Sequence, residues 1–223
     1  VKFVAILPSI YEPWTDVCIA SMGRPFRDNL EVWDNTGHNR GVAVAWNHGV
    51  TIMRAREADW LVIVSAGMRF GLPGGTDFLV HLSEAGKGTW AAEAGLQPHR
   101  PGHGFGWHLI GIRSTTFDRV GVFDENFFAY YEDNDFGHRV RCATPEWEPG
   151  PDPLWPKVDP VDATLAGYAH GIRLGGAVSD PNIGAGYYRR KWGGPPSCEE
   201  YMTPFGGSHG LDWWPDPYRQ PAR

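Results

Sequence analysis

A chain of 223 residues with 42% hydrophobic content is long enough to bury the core of one α/β domain. Its net charge of -6, with Lys and Arg scattered along the chain, excludes a nucleic-acid surface, which needs clustered cations to neutralise phosphates. Three distant cysteines, Cys18, Cys142 and Cys198, have neither metal-type spacing nor the even number of a closed disulfide set; no apolar run reaches membrane-spanning length, and Val1 to Pro8 breaks too early for a signal peptide. A soluble protein of the reducing cytoplasm is expected.

The apolar run Phe3 to Leu7, ended by Pro8, reads as a buried parallel strand. A second strand ends near Asp34, and Thr36-Gly37-His38-Asn39 reads as loop. From Gly41 to Glu57, Val42, Trp46, Val50 and Met53 recur at helical spacing, with Asn39 near the start. Trp60 to Val64 is again continuously apolar, a central strand that completes a βαβ rhythm. Ligands of open parallel sheets bind beyond the carboxyl ends of the strands, where Pro8 and Asp34 fall.

Leu72-Pro73-Gly74-Gly75 predicts a turn, Thr76 to Ala85 a helix ended by Gly86, and Thr89 to Ala94 another strand. Gln97 to Gly106 reads as a loop; its His99 and His103 lack Cys or Asp partners at ligand spacing. Trp107 to Arg113 predicts a strand, followed by a short helix opened by Ser114 and closed by Gly121. An aromatic turn then leads to Glu132, Asp133 and Asp135 at the mouth of a second helix.

That position has chemical consequences. The unpaired N–H groups and partial positive charge of a helix start hold a carboxylate ionised, whereas an aromatic wall from Phe127, Phe128, Tyr130 and Tyr131 dries it and pushes its pKa up. The outcome is either a poised base or a simple N-cap at Asp133 or Asp135. Further on, Thr144 to Pro160 is rich in Pro and acidic residues and reads as a lid or excursion. Gly167 to Gly171, which holds His170, looks strand-like, and the tail from Leu211 to Arg223 is aromatic and proline-rich without periodicity.

The string Gly121-Val122-Phe123-Asp124-Glu125-Asn126-Phe127-Phe128, followed by Tyr131-Glu132-Asp133-Asn134-Asp135 and Arg139, resembles the acceptor-side segment of family 2 glycosyltransferases, inverting enzymes with the GT-A fold. The resemblance implies that Asp133 is the catalytic base, with Glu132 orienting the acceptor or the base. Asp34-Asn35-Thr36, Asn39-Arg40-Gly41-Val42-Ala43 and Asn47-His48-Gly49 resemble the nucleotide half of the same family, which implies that Asp34 hydrogen-bonds the base while Asn35, Asn39, Gly41 and Asn47 approach the nucleotide. Tyr187-Tyr188-Arg189-Arg190-Lys191-Trp192-Gly193-Gly194, with Thr203-Pro204-Phe205, resembles a carboxyl-terminal family pattern. Arg190 and Lys191 then either face the departing diphosphate or are the solvated basic end of a helix.

One segment departs from the family. Where its members carry an Asp-x-Asp whose last carboxylate binds a divalent metal, this chain has Ser65-Ala66-Gly67, which offers no carboxylate to a hard cation. The metal, Mn2+ or Mg2+, is lost, is held by other groups such as His170, or the protein is inactive. In extended chain Ser65, Gly67 and Arg69 share one face, so Arg69 could supply positive charge at the diphosphate. Trp107 either packs in the core or, with Asp135 and Trp192, meets the acceptor.

The resemblance thus implies a GT-A (Rossmann-like) α/β fold, a mostly parallel central sheet flanked by helices. One domain spans 1–205, with a donor half at about 1–95, an acceptor half at about 96–205 and a tail at 206–223. The implied reaction moves a hexose-type sugar from a nucleoside diphosphate to an acceptor hydroxyl of a glycan, lipid-linked sugar or protein. The alternatives are an inactive sugar-, nucleotide- or protein-binding module and a hydrolase that uses the Glu132–Asp133 pair.

Overall fold

The computed structural model describes residues 1–10, 12–66, 68–71, 74–85, 91–94, 109–128, 130–143, 158–160 and 181–207. Five strands form the main sheet: β1 (Phe3–Ser9), β2 (Leu30–Asp34), β3 (Trp60–Val64), β5 (Ala91–Ala94) and β6 (Leu109–Arg113), in the order β2-β1-β3-β6-β5. β1 pairs in parallel with both β2 and β3, while β6 lies antiparallel to β3 and to β5. Four of the five strands therefore run the same way, and β6 alone is reversed. The fold is mixed α/β, a mostly parallel central sheet with helices on both faces, as expected.

Alternation along the strands builds two cores. Val4, Ile6, Leu61, Ile63, Ile110 and Ile112 point to one face, where α3 (Val42–Ala55), α5 (Ser114–Val120) and α6 (Glu132–Ala143) cover them with Trp46, Val50, Met53, Phe117, Phe136 and Val140. Phe3, Ala5, Leu7, Trp60, Val62 and Val64 point to the other face, under α1 (Glu12–Ser21), α2 (Arg24–Arg27) and α4 (Thr76–Glu84), which contribute Cys18, Phe26, Phe78 and Leu82. Continuous apolar strands are what a sheet covered on both faces requires.

Predicted and observed elements agree closely for β2, β3, α3, α4, α5 and α6. β1 runs past Pro8 to Ser9, because the register with β3 stops at Ile6 and Pro8 has a neighbour only in β2, so its missing N–H breaks no ladder on the β3 side. Helix α1 has no clear signature in the sequence: Val17 is exposed beside fully buried Cys18, so its apolar residues do not form one stripe. The acidic excursion ends in a strand, β7 (Val158–Pro160), which pairs antiparallel with β4 (Met68–Phe70), Asp159 opposite Arg69. Helix α7 (Pro181–Trp192) carries the basic motif and joins the molecule through a third cluster, Phe127 with Tyr188 and Trp192.

Candidate functional site

The carboxyl end of β2 opens into a loop whose shape comes from its asparagines. Asn35, almost fully buried, accepts hydrogen bonds at Oδ1 from Trp33 Nε1 (2.8 Å) and the Arg40 N–H (3.2 Å), and donates from Nδ2 to the Gly41 carbonyl (3.5 Å). Asn39 Oδ1 accepts the Gly41 N–H at 2.9 Å. Asp34 is exposed; Thr36, through its side chain and its backbone N–H, holds this carboxyl below the usual range. Beside it lie the Trp33 and His48 rings, 4.8 Å apart, with the Arg40 guanidinium 6.0 Å from the indole centroid. Trp33 and Arg40 were not among the residues the sequence singled out for chemistry, although their neighbours were.

The loop is closed against the acidic segment. Gly41 has φ 88°, and a Cβ there would collide with the carbonyl oxygen of Phe128, which also accepts the Val42 N–H at 3.3 Å. Asn47 on α3 takes the Phe123 N–H at Oδ1 (2.8 Å) and gives Nδ2 to the Phe123 carbonyl (3.0 Å) and Glu125 Oε1 (2.9 Å). Gly41 and Asn47, expected to approach a nucleotide, make these bonds and contacts with the turn Phe123 to Phe128 instead. What these residues touch is decided by packing between distant segments.

Below the turn sits a buried ion cluster. Lys191 on α7 donates to Asp124 Oδ2 (2.8 Å) and Asp135 Oδ1 (2.5 Å), and all three residues are 0% exposed. Asp124 also receives the Tyr187 hydroxyl (2.9 Å) and both nitrogens of Asn126; Asp135 receives Trp192 Nε1 (2.9 Å) and Arg139 Nε (2.9 Å). Arg139 further donates to the Val120 and Val122 carbonyls. Burial pushes the Asp135 carboxyl up, but Lys191, Arg139 and Trp192 outweigh it and hold the group below its ordinary value. Asp135 and Trp192, expected at the acceptor, and Lys191, expected at the diphosphate, are therefore bonded to one another in the interior. Arg190, the neighbouring cation, is exposed.

On that base stands the first turn of α6. Tyr130 and Tyr131, which lead into it, hold φ 70° and 75°, a conformation that costs a non-glycine residue of order 1–3 kcal/mol. Glu132 is 7% exposed, and its Oε2 is buried with no hydrogen-bond partner among the described residues. Burial first, then the charge of Asp133, push its carboxyl well above the usual range. Asp133 is only half-buried; its Oδ1 accepts the Asn134 N–H (2.7 Å) and Nδ2 (2.8 Å). Two adjacent acids thus stand in unlike surroundings, the condition for unlike proton roles.

On the far side of α6, Glu199 accepts the Tyr188 hydroxyl at 2.5 Å and Arg141 at 3.2 Å, and its carboxyl lies 3.6 Å from His138 Nδ1. This pins the segment after α7 to α6. His138 Nε2 is 2.9 Å from the Tyr201 carbonyl, so it serves structure. Of the other expected residues, Pro8 and Ser65 are half-buried at the ends of β1 and β3, and Arg69 is exposed on β4. Gly67, Trp107 and His170 lie outside the described residues.

A divalent metal finds no fitting ligand set among the described residues: no three His, Cys, Asp or Glu side chains converge, and Ser65 brings a hydroxyl where a hard cation wants a carboxylate. Nor is any described helix long and apolar enough to cross a membrane.

No family model matches the chain, and no curated protein matches it. Among solved structures, it is similar to the mannosyltransferase PcManGT of Pyrobaculum calidifontis in complex with GDP-Man and Mn2+, at 17% identity and a TM-score of 0.45, over 63% of this chain and 52% of that one. It is also similar to residues 1–349 of TarS from S. aureus, at 14% identity and a TM-score of 0.41, over 64% of this chain and 56% of that one. The chain spans about half the length of these structures.

Proposed function

We propose that the chain is an inverting glycosyltransferase of the GT-A type, its domain spanning 1–205. The observation that carries this reading is one joint: the Val42 N–H on the Phe128 carbonyl and the Asn47 clamp on Phe123 hold the start of α3, next to the loop after β2, against the turn that leads into the acidic start of α6. A nucleotide-reading carboxylate at Asp34 and a base at Asp133 then serve one ligand. Asp34 reads the nucleotide base, with Asn35 and Asn39 holding its loop, and Pro8 and Ser65 line the strand ends beside it. Arg69 and Arg190 are the exposed cations offered to the leaving diphosphate.

In the reaction, the acceptor oxygen attacks the anomeric carbon while its proton passes to Asp133. The bond from that carbon to the diphosphate breaks, and its electron pair leaves with the nucleoside diphosphate. The sugar is of hexose type, and the acceptor hydroxyl belongs to a glycan, a lipid-linked sugar or a protein. A metal, Mn2+ or Mg2+, belongs to the family resemblance, and no step here is routed through it.

Replacing Asp133 by Asn tests the assignment. The expected result is a fall in kcat of about two to four powers of ten with donor affinity kept. Full transfer by the variant would remove Asp133 from the base role. Donor binding by the wild-type protein without transfer to any acceptor would turn the reading to the nucleotide-sugar-binding module, which the absence of carboxylates at Ser65-Ala66-Gly67 favours.

A further inference from the structure

The transferase reading gives Glu132 a place beside the base but does not say in which form it works. The geometry does. Glu132 is more than nine-tenths buried, and among the described residues no ion pair to a cation reaches it and its enclosed Oε2 has no hydrogen-bond partner. Lys191 and Arg139, the buried cations of this region, bond to Asp124 and Asp135. Its charged neighbour is Asp133, of the same sign, and the Tyr130 phenol is the other titratable group that feels it. An ionised carboxylate in such a place has only its own backbone N–H and the helix start to set against burial and the like charge of Asp133, which together outweigh them, whereas a carboxylic acid lacks only a hydrogen-bond acceptor.

Resting on the transferase reading, we propose that Glu132 works as a neutral carboxylic acid whose O–H donates a hydrogen bond to an oxygen of an uncharged polyol acceptor, next to the hydroxyl that gives its proton to Asp133. The unpaired buried oxygen is the mark of a bond completed only by ligand, since a buried polar atom is rarely left unpaired without such a reason. Glu132 exchanges no proton in the reaction; it selects and orients. The acceptor so recognised is a sugar hydroxyl with a second oxygen close by, presented without charge.

Two measurements test this, one of them independent of turnover. In protein labelled with 13C at the glutamate carboxyl carbon, the Glu132 resonance is assigned by its loss in Glu132→Gln and followed against pH. It should keep the shift of a protonated acid at neutral pH; titration together with the exposed glutamates would overturn the proposal. Transfer is then measured from UDP- and GDP-sugars to a panel of methyl pyranosides. Glu132→Gln, which keeps a donor, should fall by about threefold, and Glu132→Ala by roughly tenfold to a hundredfold, mainly through KM. In the wild type, activity should decline on the alkaline side, and in Glu132→Gln that decline should vanish. Gln as poor as Ala, with both variants folded, would overturn the donor role while leaving the transferase reading intact. No transfer by the wild type to any pyranoside would overturn the ligand assigned here, even if the NMR titration came out as expected, while the transferase reading, which also admits a lipid-linked or protein acceptor, stands or falls with the donor test above.

Discussion

Glu132 carries a pH dependence of stability beside the role proposed for it. Its carboxyl is raised in the folded protein by burial and by Asp133, so the native state binds a proton that the unfolded chain releases near pH 4. Stability from this group is complete below that pH and declines as pH rises towards the folded value. Glu132→Gln should therefore stabilise the protein at neutral pH relative to wild type, and the advantage should disappear in acid. Urea unfolding at several pH values measures it; an advantage independent of pH would mean that Glu132 is not protonated in the native state. The adjacency of Glu132 and Asp133 at a helix mouth was legible in the sequence. That the burial falls on Glu132 and leaves Asp133 half-open was not, because it depends on how the first turn of α6 is rotated against its neighbours.

Helices α6 and α7 are joined by a latch of charge. Lys191 holds Asp124 from the turn and Asp135 from α6, with Phe127, Tyr187 and Trp192 packed around its ammonium group. Removing the cation leaves two buried carboxylates facing one another, and Lys191→Met should cost about 3–5 kcal/mol, part of it recovered by adding Asp124→Asn. A loss under about 1 kcal/mol in chemical denaturation would show that the aromatic contacts alone seat α7. The latch also acts in acid: the Asp135 carboxyl is depressed, so its contribution is present above the unfolded carboxylate range and is lost as pH falls through the folded value. The Asp135–Arg139 bond follows the i,i+4 spacing of a helix and could be read from the chain. Lys191 meets Asp124 across 67 positions, and no local pattern announces that. The local motif around Lys191 and Trp192 therefore points to a ligand, while the fold bonds both side chains to buried carboxylates.

At the scale of the whole molecule, the sheet's carboxyl edge gathers Asp34, the strand ends at Pro8 and Ser65, and the loop that Gly41 presses against Phe128. A nucleotide sugar held there binds only the folded protein. At about a hundred times Kd it should raise the melting temperature by roughly 5–10 °C. With no carboxylate at Ser65-Ala66-Gly67, that rise should survive a chelator and shrink in Arg69→Ala. A thermal-shift series with UDP- and GDP-sugars, Mn2+, Mg2+ and EDTA decides, and a rise abolished by EDTA would return the diphosphate to a metal. The sequence by itself determined the α/β class, most strands and helices of the main sheet and its covering layer, though not α1, α2, β4 or β7, and the acidic turn, since hydrophobic period, caps and glycines act over a few residues. Only the tertiary structure decided the reversal of β6, the enclosure of Lys191 between two aspartates and the unpaired oxygen of Glu132. Those depend on contacts between distant segments, whose energies of burial and charge are set by what the completed fold excludes from water.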